Sequence, residues 1–79
     1  MNHDWRFGQI NHRLREARRA RGLTPKQLAM RLGYSSPNRY LLIENGQSRA
    51  SLPIALQLAK IVGEEADALF PGIVDVHCF

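Results

Sequence analysis

Two side chains that can each form a pair of parallel hydrogen bonds, Asn38 and Arg39, are neighbours in the sequence. An asparagine amide can bond adenine in this way, and an arginine guanidinium can bond O6 and N7 of guanine. Each such contact is worth about 1–3 kcal/mol of discrimination against a wrong base. Leu42 lies four residues after Asn38 and offers an apolar contact, for example with a thymine methyl group. Whether these three residues share one exposed surface depends on the local structure that carries them.

Positive charge is concentrated in the same part of the chain. Residues 6–49 contain ten basic and two acidic side chains, whereas residues 50–79 contain one basic and four acidic side chains. The net charge of the whole chain is +4. A basic region of this kind attracts a polyanion such as a nucleic acid. The other interpretation is a solvated, arginine-rich helix surface, and charge alone does not distinguish the two.

The remaining reactive side chains form no catalytic or metal-binding pattern. The histidines and the single cysteine, His3, His12, His77 and Cys78, lack the spacing of a metal site. There is also no glycine-rich phosphate loop and no nucleophile elbow. We therefore expect a protein that is not an enzyme and that uses no metal and no cofactor.

Two short helices with a tight connection must position the candidate residues. Thr24 and Gln27 form a T-x-x-Q capping box at the start of the first helix, and Gly33 ends it. Ser36 is expected to cap the second helix, with Pro37 at its first position. The pair predicts a helix-turn-helix.

The second of these helices is expected to end at Gly46 and to carry these residues. Helical rotation places Tyr40 and Ile43 on its buried side and Asn38, Leu42 and Asn45 on the opposite side, which Arg39 flanks. Glu44 lies beside the buried side. We expect Glu44 to be structural and to bond Arg13, Arg15 or backbone amides.

Three further helices complete the prediction, which makes the chain all-α. An apolar stripe over residues 7–17 predicts a first helix that ends near Arg21, and Ser51 is expected to cap a buried fourth helix. A short fifth helix contains Ala66 and Leu69. The expected core consists of Ile10, Leu14, Ala17, Leu23, Leu28, Ala29, Leu32, Tyr40, Ile43, Leu52, Leu56, Ala59, Val62, Leu69 and Phe70.

The ordered set of segments resembles the phage-repressor/Cro-type (XRE-like) helix-turn-helix family. The resemblance is carried by G-L-T-P-K-Q-L-A-x-x-L-G, followed after ten residues by E-N-G, and by flanking segments that extend it over roughly Phe7 to Phe70. It implies a compact five-helix domain whose third helix enters the major groove of DNA, with the N-terminal residues nearest the bases. The resemblance thus makes Asn38, Arg39 and Leu42 the candidate base-reading residues. It also implies a DNA-binding protein with an inverted-repeat operator, most simply a homodimeric transcriptional repressor or autoregulator.

Phosphate contacts are expected at the ends of the motif. Helix N-termini favour anions, and in the family the loop after E-N-G commonly lies against the DNA backbone. The candidates for phosphate contacts are Thr24, Lys26, Arg31, Ser36, Gln47, Ser48 and Arg49.

Three departures from the family pattern keep a second interpretation open. Pro25 replaces a glutamine that often contacts phosphate, the turn is one residue longer than usual, and Leu41 and Leu42 are adjacent on an expected wet face. The alternative is a protein-interaction module, such as an antitoxin, an inhibitor or an adaptor, that uses the two leucines and the C-terminal tail.

The chain is expected to divide into a polar N-terminal arm (1–6), the helix-turn-helix domain (7–70) and an apolar tail (71–79). The tail is β-branched and could form a strand that pairs with a second subunit, or it could lie loosely over the helices. No apolar run approaches the roughly 20 residues of a membrane span, and residues 1–10 show no signal peptide. We therefore expect a cytoplasmic protein.

Overall fold

The computed structural model describes residues 9–73, which form five helices and no strand. The all-α prediction is thus confirmed. The arm, Phe7 and the tail from residue 74 onward lie outside the described residues, and so does most of the predicted strand. The helices are α1 (His12–Ala20), α2 (Pro25–Arg31), α3 (Asn38–Glu44), α4 (Leu52–Val62) and α5 (Ala66–Leu69).

The helix signals of the motif act largely as predicted. The Thr24 hydroxyl accepts a hydrogen bond from the Gln27 amide at 3.1 Å, and the Gln27 side chain accepts one from the Thr24 amide at 2.9 Å. This capping box fixes the start of α2. Gly33 follows α2 with a φ of +88°, a left-handed conformation that glycine adopts without steric cost. At the start of α4, the Ser51 hydroxyl accepts from the Ile54 amide at 3.4 Å, as predicted.

The expected cap at Ser36 is wrong. Pro37 occupies the cap position of α3 and already has helical dihedral angles, and no side chain caps this helix. The Pro37 carbonyl accepts from the Leu41 amide at 2.9 Å, which closes the first turn. Ser36 therefore lies one residue before the position from which a serine hydroxyl bonds the first free amides.

The start of α1 also differs from the prediction. The helix begins at His12 and is capped by Asn11, whose side-chain oxygen accepts from the Leu14 amide at 3.0 Å. Ile10 lies outside the helix and is 39% exposed, so its assignment to the core is wrong. The apolar stripe could not include it, since helical periodicity holds only within a helix.

All five helices contribute to one core. Nine predicted core residues are buried: Leu14, Ala17, Leu28, Ala29, Tyr40, Ile43, Ala59, Val62 and Leu69. Four others are half-buried: Leu23, Leu32, Leu52 and Phe70.

On α4 the buried stripe is rotated from the predicted one. Ala55 and Leu58 point inward, whereas Leu56 is 48% exposed, so its prediction as core is wrong. Inward positions separated by three and four residues leave Leu56 on the solvent side.

Candidate nucleic-acid interface

The two sides of α3 have opposite character. Tyr40, Ile43 and Glu44 are buried, whereas Asn38 and Arg39 are exposed and Leu42 is 42% exposed. The residues predicted to read bases therefore share the outward surface of one helix. Two of them occupy its first turn.

A buried ionic cluster fixes α3 against α1. The Glu44 carboxylate accepts from Arg18 Nε at 2.9 Å, from Arg15 Nε at 3.1 Å and from the Tyr40 hydroxyl at 2.5 Å. Glu44 is only 2% exposed, so these donors replace its hydration. We call Arg15, Arg18, Tyr40 and Glu44 the Glu44 cluster.

The expected structural role of Glu44 is confirmed, but its partners are only partly those predicted. Arg15 is one of them, whereas Arg13 instead pairs with Glu64 at 3.0 Å near the surface. Arg18 was not anticipated, because an arginine that is almost fully buried is uncommon and periodicity gives no signal for it. A second of its donor nitrogens, Nη1, bonds the Leu23 carbonyl at 2.8 Å and so also holds the α1–α2 connection.

The cluster sets the protonation states of its members. Burial alone would raise the pKa of Glu44, but the hydrogen bonds from Arg18, Tyr40 and Arg15 outweigh it and hold the pKa below its usual value. Burial raises the pKa of Tyr40, and its hydrogen bond to the Glu44 carboxylate raises it further. Glu44 is thus a carboxylate at neutral pH, and Tyr40 is a neutral phenol that donates to it.

Asn11 connects the end of α3 to α1 and α5 through hydrogen bonds. Its backbone amide donates to the Glu44 carbonyl at 2.7 Å, and its side-chain amide donates to the Leu69 carbonyl at 2.8 Å. With its cap contact, this one residue joins α1, α3 and α5. It is 2% exposed and was not predicted. The local signal was an asparagine three residues before the first core leucine, Leu14, which is typical of a helix cap.

The residues proposed for phosphate contacts lie on several parts of the surface. Thr24 and Lys26 are exposed at the start of α2, and Ser36 is half-buried in the turn before α3. The loop after α3 folds back on the helix, because the amides of Gln47 and Ser48 donate to the Leu42 carbonyl at 2.9 and 3.0 Å. Both residues, like the following Arg49, are exposed.

Arg31 is separate from this group. It lies at the end of α2 and lines a shallow groove of about 480 Å³ toward α4, together with Leu32, Lys60 and Ile61. The candidate base-reading residues are not among the groove's lining residues.

The two adjacent leucines differ in their surroundings. Leu41 is half-buried and packs against the core, whereas Leu42 is exposed. A surface patch that includes both, as the protein-interaction interpretation supposes, would use the exposed Leu42 and only the accessible part of Leu41.

Comparison with known families agrees with this architecture. A family model described as a helix-turn-helix domain matches residues 9–69. The chain belongs to this helix-turn-helix family, consistent with the XRE-like resemblance, and the family suggests DNA as the partner. Searches of curated proteins and of solved structures gave no match. Within residues 9–73, no helix is long and apolar enough to cross a membrane.

Proposed function

We propose that this protein binds double-stranded DNA in a sequence-specific manner, with α3 in the major groove. The observation that supports this most is the contrast between the two sides of α3: one is anchored by the Glu44 cluster, and the other exposes an amide, a guanidinium and an apolar side chain. Such groups discriminate base edges only when the helix that carries them is held rigidly.

In this proposal, Asn38, Arg39 and Leu42 read bases. Phosphates are held by Thr24, Lys26, Arg31, Ser36, Gln47, Ser48 and Arg49. Phosphate contacts fix the register of the protein on the duplex, and base contacts determine which sequence is preferred.

We further propose that the protein acts in the cytoplasm as a homodimeric transcriptional repressor or autoregulator. A dimer would place one α3 in each of two half-sites about 34 Å apart on one face of the duplex. The tail is the proposed dimerisation segment. A sedimentation mass that is unchanged when residues 73–79 are deleted would contradict that role.

The test is selection from a random pool of duplexes at roughly physiological salt, with sequencing of the bound fraction. We expect enrichment of an inverted repeat whose half-site centres are about 10 base pairs apart. Enrichment of a single half-site would support sequence-specific binding and contradict the dimer. Weak, salt-sensitive retention with no enriched sequence would contradict sequence-specific binding altogether.

A further inference from the structure

Arg39 rests on an aromatic ring from the turn between α2 and α3. Its guanidinium carbon lies 4.9 Å from the centre of the Tyr34 ring. A guanidinium at this distance is attracted by the negative face of the ring. The contact joins the turn to the first turn of α3, five residues further along the chain.

Tyr34 is itself well anchored. Its amide donates to the Ala29 carbonyl at 3.0 Å, directly after the left-handed Gly33, and its ring packs against the core. The ring is half-buried, so it offers a fixed platform for the exposed arginine.

Arg39 has no ion-pair partner among the described residues. The acidic residue of its own helix, Glu44, is engaged by Arg15 and Arg18. The N–H groups of a guanidinium lie in its plane, so a ring under its face does not use them. Among residues 9–73, no hydrogen bond or ion pair engages the N–H groups of Arg39, so they can bond a ligand while the ring holds the side chain.

We propose that Tyr34 is a positioning residue that holds the Arg39 guanidinium ready to bond two acceptors in one plane on the DNA. The inference rests on the proposed function and extends it to a residue outside the reading face. The acceptors are O6 and N7 of guanine or two oxygens of a phosphate, which present the same paired geometry. Arg39 then loses part of its conformational entropy before binding. The entropic cost of binding is therefore lower, which improves affinity.

A double-mutant cycle tests this coupling on the duplex enriched from the pool. The variants are Tyr34→Leu, Arg39→Ala and the double variant, with Tyr34→Phe as a matched control that keeps the ring. We expect Tyr34→Leu to weaken binding about 2- to 5-fold when Arg39 is present, which corresponds to an exposed cation–π contact. In the Arg39→Ala background it should have no further effect, and Tyr34→Phe should bind like the wild type.

The same loss from Tyr34→Leu in both backgrounds would overturn the proposal, because Tyr34 would then act only through packing. If the wild type binds no duplex, the proposed function itself fails. Base preference identifies the acceptor: Arg39→Lys should relax the preference at one guanine if the contact is to a base, and should weaken all sequences equally if it is to phosphate.

A second measurement needs no variant that could fail to fold. Side-chain ¹⁵N relaxation of the free protein should show Arg39 Nε more restricted than that of Arg19, an exposed arginine on α1, and less restricted than that of the buried Arg18. Motion of Arg39 as free as that of Arg19 would overturn the proposal.

Discussion

At the scale of single residues, the ion pairs within residues 9–73 are of two kinds. Arg18 and Glu44 are almost fully buried, whereas the Arg13 and Glu64 side chains are 56% and 33% exposed. A buried carboxylate that loses a partner retains its desolvation cost, whereas an exposed one is rehydrated by water. The two pairs have similar geometry but should differ in their effect on stability.

We predict that Arg18→Ala lowers the free energy of unfolding by about 3–5 kcal/mol, because it leaves Glu44 buried and only partly compensated. Arg13→Ala, the matched control on the same helix, should cost about 0–1 kcal/mol. Urea unfolding followed by circular dichroism measures both. Similar costs for the two variants would contradict the role given to the Glu44 cluster.

The lowered pKa of Glu44 makes stability depend on pH. In the unfolded chain this carboxyl regains an ordinary pKa near 4.5, so it binds protons at a higher pH than in the folded state. Its contribution is therefore fully present above about pH 4.5 and is lost as the pH falls through the folded pKa. We predict that Glu44→Gln is less stable than the wild type at pH 7 and that the difference shrinks on acidification. A difference that stays constant down to pH 3 would disprove this.

At the scale of secondary-structure elements, the position of α3 is determined at its C-terminal end. Gly46 has a φ of +78°, and a Cβ added there would lie 1.9 Å from the Gln9 carbonyl oxygen. Gly33 has a similar φ of +88°, but a Cβ there would meet nothing within 4 Å. A substitution of Gly33 therefore tests backbone strain alone, whereas a substitution of Gly46 also tests the close approach to Gln9.

We predict that Gly33→Ala costs about 1–2 kcal/mol from the left-handed conformation alone. Gly46→Ala should cost clearly more, because the segment before α1 must also move away from α3. Thermal unfolding of the two variants compares them directly. Equal decreases in melting temperature would show that the close approach to Gln9 does not matter.

Local sequence signals predicted where the helices begin and end better than they predicted which distant residues are in contact. The capping box of Thr24 and Gln27 and the stop at Gly33 depend on residues within one or two turns, so the sequence alone sufficed. Asn11 bonds the carbonyls of Glu44 and Leu69, which are remote in the chain, and no local pattern indicates such partners.

The candidate site shows the same contrast between features set by local sequence and features set by long-range contacts. The outward face of α3 followed from helical rotation, whereas its anchoring by Arg18 and the stacking of Arg39 on Tyr34 depend on how helices and turns pack together.

At the scale of the whole molecule, positive and negative charge are concentrated in different parts of the sequence. Ten of the eleven basic residues precede residue 50, and four of the seven acidic residues follow it. Each phosphate contact releases bound counterions, so the salt dependence of binding reports how many cations touch the backbone.

We predict that Lys26→Ala weakens binding to all duplexes alike and lowers the slope of log affinity against log salt by about one unit. The matched control is Lys60→Ala, which removes an exposed lysine from α4 in the acidic part of the chain and should leave the slope unchanged. Fluorescence anisotropy at four salt concentrations measures both slopes. If the Lys60 variant changes the slope as much as the Lys26 variant, net charge rather than a phosphate contact explains binding.

The most direct test of the claim that α3 reads DNA is a comparison of the base-preference profiles of the wild type and Asn38→Ala, obtained from the same random pool. Gln57→Ala, which removes an exposed amide from α4, is the control. We predict that Asn38→Ala loses preference at one base pair of each half-site and keeps the rest, and that Gln57→Ala changes nothing. An Asn38→Ala profile identical to that of the wild type would contradict the assignment of Asn38 as a base-reading residue of α3.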